Sequence, residues 1–297
     1  MFGRLFRSLF ALMAFTAANP VFAQTNEETS VMPIFDQSGY APVNGVEIYY
    51  EVHGQGAPII LLHGGLMSAS GFAPIIETMA ETHQVIGIDL QGHGHTSPFE
   101  RPMSFEAMAA DVAGVIEYLQ LEDPAVLGYS LGATTALRLA LDRPELVGKL
   151  ILVSSPYAFE GWHTYNSEGM RSMTGEMAAG MMGTPLYNAY AAEQPDAEKN
   201  FPILLDKVGD MMRKGFDYSA EIGNLKMPTM LVYADWDAVK TSHSARFFEL
   251  LGGGLNDAGW DGSGMNQNRL AIIPGLTHYT MITPQLAEIA LGFIAAD

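Results

Sequence analysis

Cysteine is absent from the 297 residues of this chain. Its absence excludes disulfide bonds, a thiolate nucleophile and metal sites with cysteine ligands. Basic residues are also few: 15 lysines and arginines stand against 33 aspartates and glutamates, a formal net charge of −18 at pH 7. Such a charge repels nucleic acid and anionic membrane surfaces, so we expect neither as a partner. The sequence also lacks internal repeats and the glycine-rich loop that cradles nucleotide phosphates.

The first 23 residues have the pattern of an export signal. Arg4 and Arg7 precede an apolar run at 9–18 that is too short to span a bilayer, and Ala23 ends a stretch suited to a signal peptidase. We therefore predict cleavage after Ala23, a periplasmic or secreted protein, and no stable membrane anchor. The polar segment 24–40 is expected to be a flexible lead-in to the folded domain.

Strand-like and helix-like patterns alternate along the rest of the chain. The predicted strands are 46–52, 59–62, 85–90, 125–129, 150–154, 229–233 and 270–273. The predicted helices are 72–81, 105–119, 131–141, 242–251 and 285–295. This alternation predicts an α/β fold, in which a mostly parallel sheet carries crossover helices on both faces. Ligands of such sheets bind at the carboxyl ends of the strands.

A G-x-S-x-G segment at 128–132 places Ser130 between an apolar strand and a helix rich in alanine and leucine. A sharp strand-to-helix turn at this position exposes the serine and brings backbone close to backbone on either side of it. Gly128 and Gly132 lack the Cβ atoms that would clash there. The segment therefore predicts a nucleophilic serine.

A serine hydroxyl needs a base within hydrogen-bond reach, and the base needs a third group to orient it. His278, downstream in the chain, is the candidate base for Ser130. Asp237 is the candidate for the orienting acid, with Asp235 as the alternative. The order serine, acid, histidine resembles that of an α/β-hydrolase triad.

Attack on a carbonyl produces an oxyanion that needs donors already in place. The backbone N–H of Leu131, at the start of the helix, is one candidate. A His-Gly-Gly-Leu segment at 63–66 follows the strand 59–62 and supplies the other. Gly65 is the favoured second donor, and Leu66 is the alternative.

Further segments resemble those of a large family. Residues 89–97 resemble its D-x-x-G-x-G-x-S loop, 142–145 its helix-to-strand junction, and 234–237 its acid-bearing turn, with Ala in place of Gly at 234. The chain thus resembles single-domain α/β-hydrolases, which include esterases, lactonases, C–C bond hydrolases and cofactor-free haloperoxidases. The resemblance runs from Val46 to the C-terminus. It favours Asp237 over Asp235 as the acid and implies catalysis without a cofactor.

The resemblance is weakest at 156–224, where this family inserts a cap. We therefore predict a hydrolase core formed by 24–155 and 225–297, with 156–224 as a lid rich in methionine and aromatic residues. Methionine adapts to varied apolar ligands, so the composition favours a hydrophobic substrate, although simple packing of the cap on the core would explain it too. The residues predicted to contact substrate are Leu66, Tyr129, Trp162, Met177 and Met181. His163 is the one imidazole in the segment, and its role is left open.

Other histidines have simpler interpretations. His63 is expected to bond within its loop, and His93 with His95 resembles a paired metal site without a matching cysteine or carboxylate motif, so no metal is predicted. The glycine-rich stretch 252–268 is predicted to be a surface loop. The sequence thus favours a serine hydrolase of a small or medium ester or lactone. A C–C bond hydrolase, a haloperoxidase or perhydrolase, and a catalytically silent binding protein remain alternatives.

Overall fold

One eight-stranded sheet organises the protein in the computed structural model, which describes residues 37–97, 100–194 and 196–296. The strands are β1 (Gln37–Val43), β2 (Val46–His53), β3 (Ala57–Leu62), β4 (His83–Ile88), β5 (Ala125–Tyr129), β6 (Lys149–Val153), β7 (Thr229–Trp236) and β8 (Arg269–Thr277). Their spatial order is β1-β2-β4-β3-β5-β6-β7-β8. β2 pairs antiparallel with β1 and β4, and all the other pairs are parallel.

Helices cover both faces of this sheet. In the described part of the chain they are α1 (Ala73–Ala80), α2 (Phe105–Tyr118), α3 (Leu131–Asp142), α4 (Thr164–Arg171), α5 (Ala178–Met181), α6 (Pro185–Glu193), α7 (Ala197–Lys214), α8 (Thr241–Leu250) and α9 (Pro284–Ala295). Ile60 and Leu62 of β3 pack into the apolar cluster under α2 and α3, whereas Ile59 and Leu61 pack toward α1 and α9. Because strands buried on both faces have apolar residues throughout, β3 shows no polar alternation. The predicted α/β fold is confirmed.

The edge strand β1 is the first element of the described chain. The predicted signal segment 1–23 lies outside the described residues. The lead-in was expected to extend to residue 40, but β1 already begins at Gln37. Only Ala41 and Val43 of β1 are buried, because the strand lies at the edge of the sheet and turns its other side chains outward. None of the described helices is long and apolar enough to cross a membrane.

The helices α4–α7 all lie between β6 and β7, within the segment 156–224. Short backbone bridges close the base of this insertion. Ala158 pairs with Asp217, so the outgoing and returning chains meet, and Trp162 pairs with Val239 on the far side of β7. The insertion is therefore fastened to the loop that follows β7. The predicted surface loop 252–268 contains no helix or strand, and Trp260 within it is fully exposed.

Candidate active site

Ser130 occupies a strained turn between β5 and α3. Its backbone has φ +54° and ψ −114°, a conformation that costs an L-residue free energy and persists only where the surroundings enforce it. A Cβ on Gly128 would lie 2.6 Å from the backbone N of Ala133, and one on Gly132 would collide with the carbonyl of Leu62. Both glycines are therefore required by close backbone approach, as the motif predicted.

Three distant segments place their side chains in one hydrogen-bonded chain. Nε2 of His278 lies 3.1 Å from Oγ of Ser130, and Nδ1 lies 3.0 Å from Oδ1 of Asp237. The imidazole is 10% exposed and the carboxylate 2%. Asp237 follows β7 and His278 follows β8, so both stand near the carboxyl end of the sheet, beside Ser130. This arrangement holds the imidazole so that Nε2 is able to accept the serine proton.

Asp237 is held in its ionised form by donors on both oxygens. Ser154 Oγ and the amide of Ala234 donate to Oδ2 at 2.6 and 3.1 Å, and the amide of Val239 donates to Oδ1 at 3.1 Å. Burial alone would raise the pKa of Asp237, but the hydrogen bond and charge of His278, together with these donors, lower it below its ordinary value. A stable anion at this position stabilises an imidazolium on His278.

The two candidate acids have different partners. Asp235 is exposed, and its Oδ1 accepts the amide of Gly275 at 2.9 Å, a contact that joins the C-terminal parts of β7 and β8. Only Asp237 reaches His278. The sequence analysis missed Ser154, which directly follows β6 and has φ +54°. No motif in the sequence marks it.

The candidate oxyanion donors lie next to each other. A Cβ on Gly65 would be 3.6 Å from the side chain of Leu131, so the two backbones are neighbours. The amides of Gly65, Leu66 and Leu131 donate no hydrogen bond to any described residue. Leu131 opens α3, where the helix dipole favours negative charge. Leu66 has φ +60°, and the choice between Gly65 and Leu66 stays a prediction.

Trp162 forms a wall beside the imidazole. Its ring meets that of His278 edge to face, with centroids 5.5 Å apart, and the residue is 5% exposed. Nε1 is buried and has no partner among the described residues. Met177, Met181 and Leu66 are half-buried and pack against the apolar cluster to which Trp162 belongs. His163 is exposed, and its amide donates to the carbonyl of Ala238 at 2.9 Å.

Tyr129 supports the imidazole from behind. Its hydroxyl donates to the backbone carbonyl of His278 at 2.6 Å, and the two rings lie 5.4 Å apart. Burial raises the pKa of the Tyr129 hydroxyl, which therefore stays protonated as a donor. The side chain is buried on the face of the sheet that packs against α1 and α9. This contact fixes the loop that carries His278; the predicted contact of Tyr129 with substrate stays a prediction.

Two buried histidines hold the loops around the site. His63 Nε2 accepts the amide of Leu90 at 3.0 Å, so Nδ1 carries the proton and donates to the carbonyl of Gly64 at 2.8 Å. Burial lowers the pKa of His63, and it lowers that of His93 to about 3. Both rings are therefore neutral and structural, as expected for His63.

The histidine pair that resembled a metal site is not formed. His93 contacts His63, whereas Nδ1 of His95 lies 3.1 Å from Oδ2 of Asp89. Asp89, His95 and Glu193 do present possible ligand atoms within 4.8 Å of one another. Asp89 is already committed, however, because its oxygens accept the amides of Ala69 and His95. That the protein works without a metal stays a prediction.

Comparisons with known proteins agree with this geometry. Residues 57–199 match the family model described as the alpha/beta hydrolase fold. A protein of Azorhizobium caulinodans named "Putative carbamate hydrolase RutD" is 30% identical over 275 residues, covering 86% of this chain and 97% of that protein. A pimeloyl-[acyl-carrier protein] methyl ester esterase of Aliivibrio salmonicida is 30% identical over 133 residues, 44% of this chain and 49% of that enzyme.

Solved structures share the fold at lower identity. E-2-(acetamidomethylene)succinate hydrolase superposes with a TM-score of 0.69 at 17% identity, covering 88% of this chain and 99% of that one. An enol-lactonase from Burkholderia xenovorans gives 0.65 at 18% identity, covering 87% and 100%. The chain is thus an enzyme of the α/β-hydrolase fold family with a hydrolase role.

Proposed function

We propose that this enzyme is a serine hydrolase that cleaves a small-to-medium, hydrophobic carboxylic ester or lactone. The observation that carries the proposal is the hydrogen-bonded chain from Asp237 through His278 to Ser130, built on a strained serine turn. The backbone amides of Leu131 and Gly65, which donate to no described residue, are available to stabilise the oxyanion that acyl transfer produces.

Acylation begins when Ser130 Oγ attacks the substrate carbonyl carbon while its proton passes to His278 Nε2. The carbonyl oxygen becomes an oxyanion, which accepts hydrogen bonds from the amides of Leu131 and Gly65. As the C–O bond to the leaving group breaks, Nε2 returns the proton to the departing alkoxide. The alcohol leaves, and the acyl group stays on Ser130 as an ester.

Deacylation repeats these steps with water. His278 Nε2 takes a proton from water while the water oxygen attacks the acyl carbon. The second oxyanion collapses, the bond to Oγ breaks, and Nε2 returns the proton to Ser130. The carboxylic acid is released and the enzyme regains its starting state. Asp237 stays ionised throughout and stabilises the imidazolium in both halves.

The surroundings of the triad favour an apolar acyl group. Trp162 stands against His278, and Met177 and Met181 are half-buried against the large apolar cluster that includes Trp162. A flexible apolar wall binds varied hydrocarbon chains. The relative named for carbamate hydrolysis makes a carbamate a second candidate, since it presents the same carbonyl to Ser130.

Labelling and turnover test the proposal together. A fluorophosphonate probe should label the protein on Ser130, and Ser130→Ala should lose both the label and the hydrolysis of p-nitrophenyl esters. The panel should run from acetate to longer acyl chains and include a p-nitrophenyl carbamate. Labelling that persists in Ser130→Ala would refute the nucleophile. A labelled Ser130 without turnover of any ester or carbamate would instead point to another chemistry of this fold.

We also propose that the protein is exported and loses residues 1–23. The proposal rests on Arg4 and Arg7, the short apolar run after them, and the stretch that ends at Ala23. N-terminal sequencing of protein from the periplasm or culture fluid should begin at Gln24. Full-length protein confined to the cytosol would contradict export.

A further inference from the structure

A cavity of about 560 Å³ opens at the base of the helical insertion, and none of the three triad residues lines it. We call it the cationic cavity, because aromatic walls and basic side chains share its lining. These side chains are Phe159, Trp162, Phe216, Arg171, Lys214 and Lys240. In a chain with 15 basic and 33 acidic residues, three cations around one cavity form a local reversal of charge.

Arg171 differs from most other arginines of the protein. Its guanidinium lies 4.5 Å above the ring of Phe159, and it forms no hydrogen bond or ion pair with any described residue. Five other arginines each contact a carboxylate: Arg101, Arg138, Arg143, Arg213 and Arg246. Arg171 therefore keeps its donors free for a planar anion, the kind of group that guanidinium binds through two parallel hydrogen bonds.

Lys214 is also without a partner among the described residues. It ends α7 as Arg171 ends α4, so two helix termini bring their cations to the same cavity. The helix dipole stabilises a cation at a helix C-terminus, which explains why Arg171 and Lys214 occur there. The dipole does not use the N–H donors of these side chains, so the donors stay free for a ligand. The third cation, Lys240, donates to the carbonyl of Glu160 at 2.7 Å.

Two carboxylates, Glu160 and Asp217, also line the cavity. Oδ1 of Asp217 accepts a hydrogen bond from the amide of Ser219 at 2.8 Å, so one of the acceptor oxygens of this carboxylate already has a partner. Three cations against two carboxylates leave a positive excess. Phe159 and Trp162 are buried, whereas the ring of Phe216 is half-buried, so phosphate alone would use that charge but would leave this apolar part of the lining unused. A ligand with both a ring and an anionic group uses both parts of the lining.

We propose that the cationic cavity binds a small aromatic carboxylate. The ring packs against the half-buried side chain of Phe216, and the carboxylate accepts hydrogen bonds from Arg171 and Lys214. Failure of this proposal would leave the proposed hydrolase function untouched, because no triad residue lines the cavity. Trp162 separates the cationic cavity from the triad, since it lines the cavity and its ring also contacts His278.

Benzoate and its neutral isostere benzamide are the probes, titrated into the intact protein with binding followed by ligand-detected NMR. Benzoate should bind with a Kd of about 1 mM, and benzamide about tenfold more weakly. Lys214→Glu should weaken benzoate at least tenfold. Lys199→Glu, the same charge change at the other end of α7 and outside the cavity, should change it less than about twofold.

A second variant, Arg171→Gln, removes the guanidinium and should also weaken benzoate about tenfold. Ser130→Ala should bind benzoate like the parent, which separates this site from the triad. The proposal is overturned if benzoate and benzamide bind equally or benzoate does not bind at about 10 mM. Equal losses in Lys214→Glu and Lys199→Glu overturn it as well, since the effect is then one of overall charge.

Discussion

The hydroxyl of Ser154 donates a 2.6 Å hydrogen bond to Oδ2 of Asp237, while the other oxygen of the same carboxylate holds His278. Ser154 directly follows β6 and Asp237 directly follows β7, so the ends of two adjacent parallel strands together position this carboxylate. Because the carboxylate is nearly buried, each donor to it contributes to keeping it ionised.

Ser154→Gly should lower activity while costing only part of the stability that the lost hydrogen bond supplies. The variant removes the donor to Asp237, and a hydrogen bond to a charged group contributes about 1.5–3 kcal/mol, so kcat/KM for a p-nitrophenyl ester should fall at least tenfold. The lost hydrogen bond also lowers the free energy of unfolding, but glycine relieves the cost of φ +54°, about 1–2 kcal/mol, so stability measured in urea should fall by less than about 3 kcal/mol. Ser155→Ala serves as the control, because the hydroxyl of Ser155 contacts Thr134 and not Asp237. Unchanged turnover in Ser154→Gly would contradict the role of this donor.

Asp237→Asn should be far more damaging than Asp235→Asn. Loss of the orienting carboxylate reduces turnover by up to about 10⁴-fold in the serine-histidine-aspartate template. Asp235 contacts the amide of Gly275 and not the imidazole, so its amide variant should retain most activity. Steady-state kinetics on one ester measures both. The opposite ranking would transfer the role to Asp235.

Substitutions in the insertion should change chain-length preference more than catalysis. Trp162→Ala, Met177→Ala and Met181→Ala each trim the apolar wall, a change worth about 1–3 kcal/mol for a bound acyl chain. At least one should shift the ratio of kcat/KM for a long ester over acetate tenfold while acetate is still hydrolysed. His163→Ala should leave both activities in place. If it abolishes every activity, the insertion takes part in the chemistry and is not only a lid.

Acid should destabilise the protein partly through His93. Its folded pKa of about 3 lies below the ordinary 6.5, so the unfolded chain binds a proton first and stability falls as pH drops below about 6.5. Each such group contributes a slope of about 1.4 kcal/mol per pH unit between the two pKa values. Urea unfolding at pH 7, 6 and 5 should show a shallower decline for His93→Gln than for the parent. A slope for His93→Gln identical to that of the parent would contradict the buried neutral form.

Local signals explain how much the sequence could predict. The run 125–129 is apolar throughout and was predicted within the bounds that β5 has, because a fully buried strand leaves a continuous pattern. β1 was missed because an edge strand buries only two of its residues. Folding brings Ser154 to Asp237, and it brings Arg171 and Lys214 to one cavity. Their neighbours come from distant segments, and no short pattern records such distances.

The base of the insertion has a consequence for chain exchange. Trp162 is bridged to Val239, which follows β7, and Ala158 is bridged to Asp217, so both contacts lie outside the helices α4–α7. A chimaera that replaces only the chain between His163 and Asp217 therefore keeps the indole edge against the imidazole. One that joins a foreign segment before Ala158 discards that wall together with the bridges. The modular unit of this enzyme is consequently smaller than the segment that interrupts its sheet.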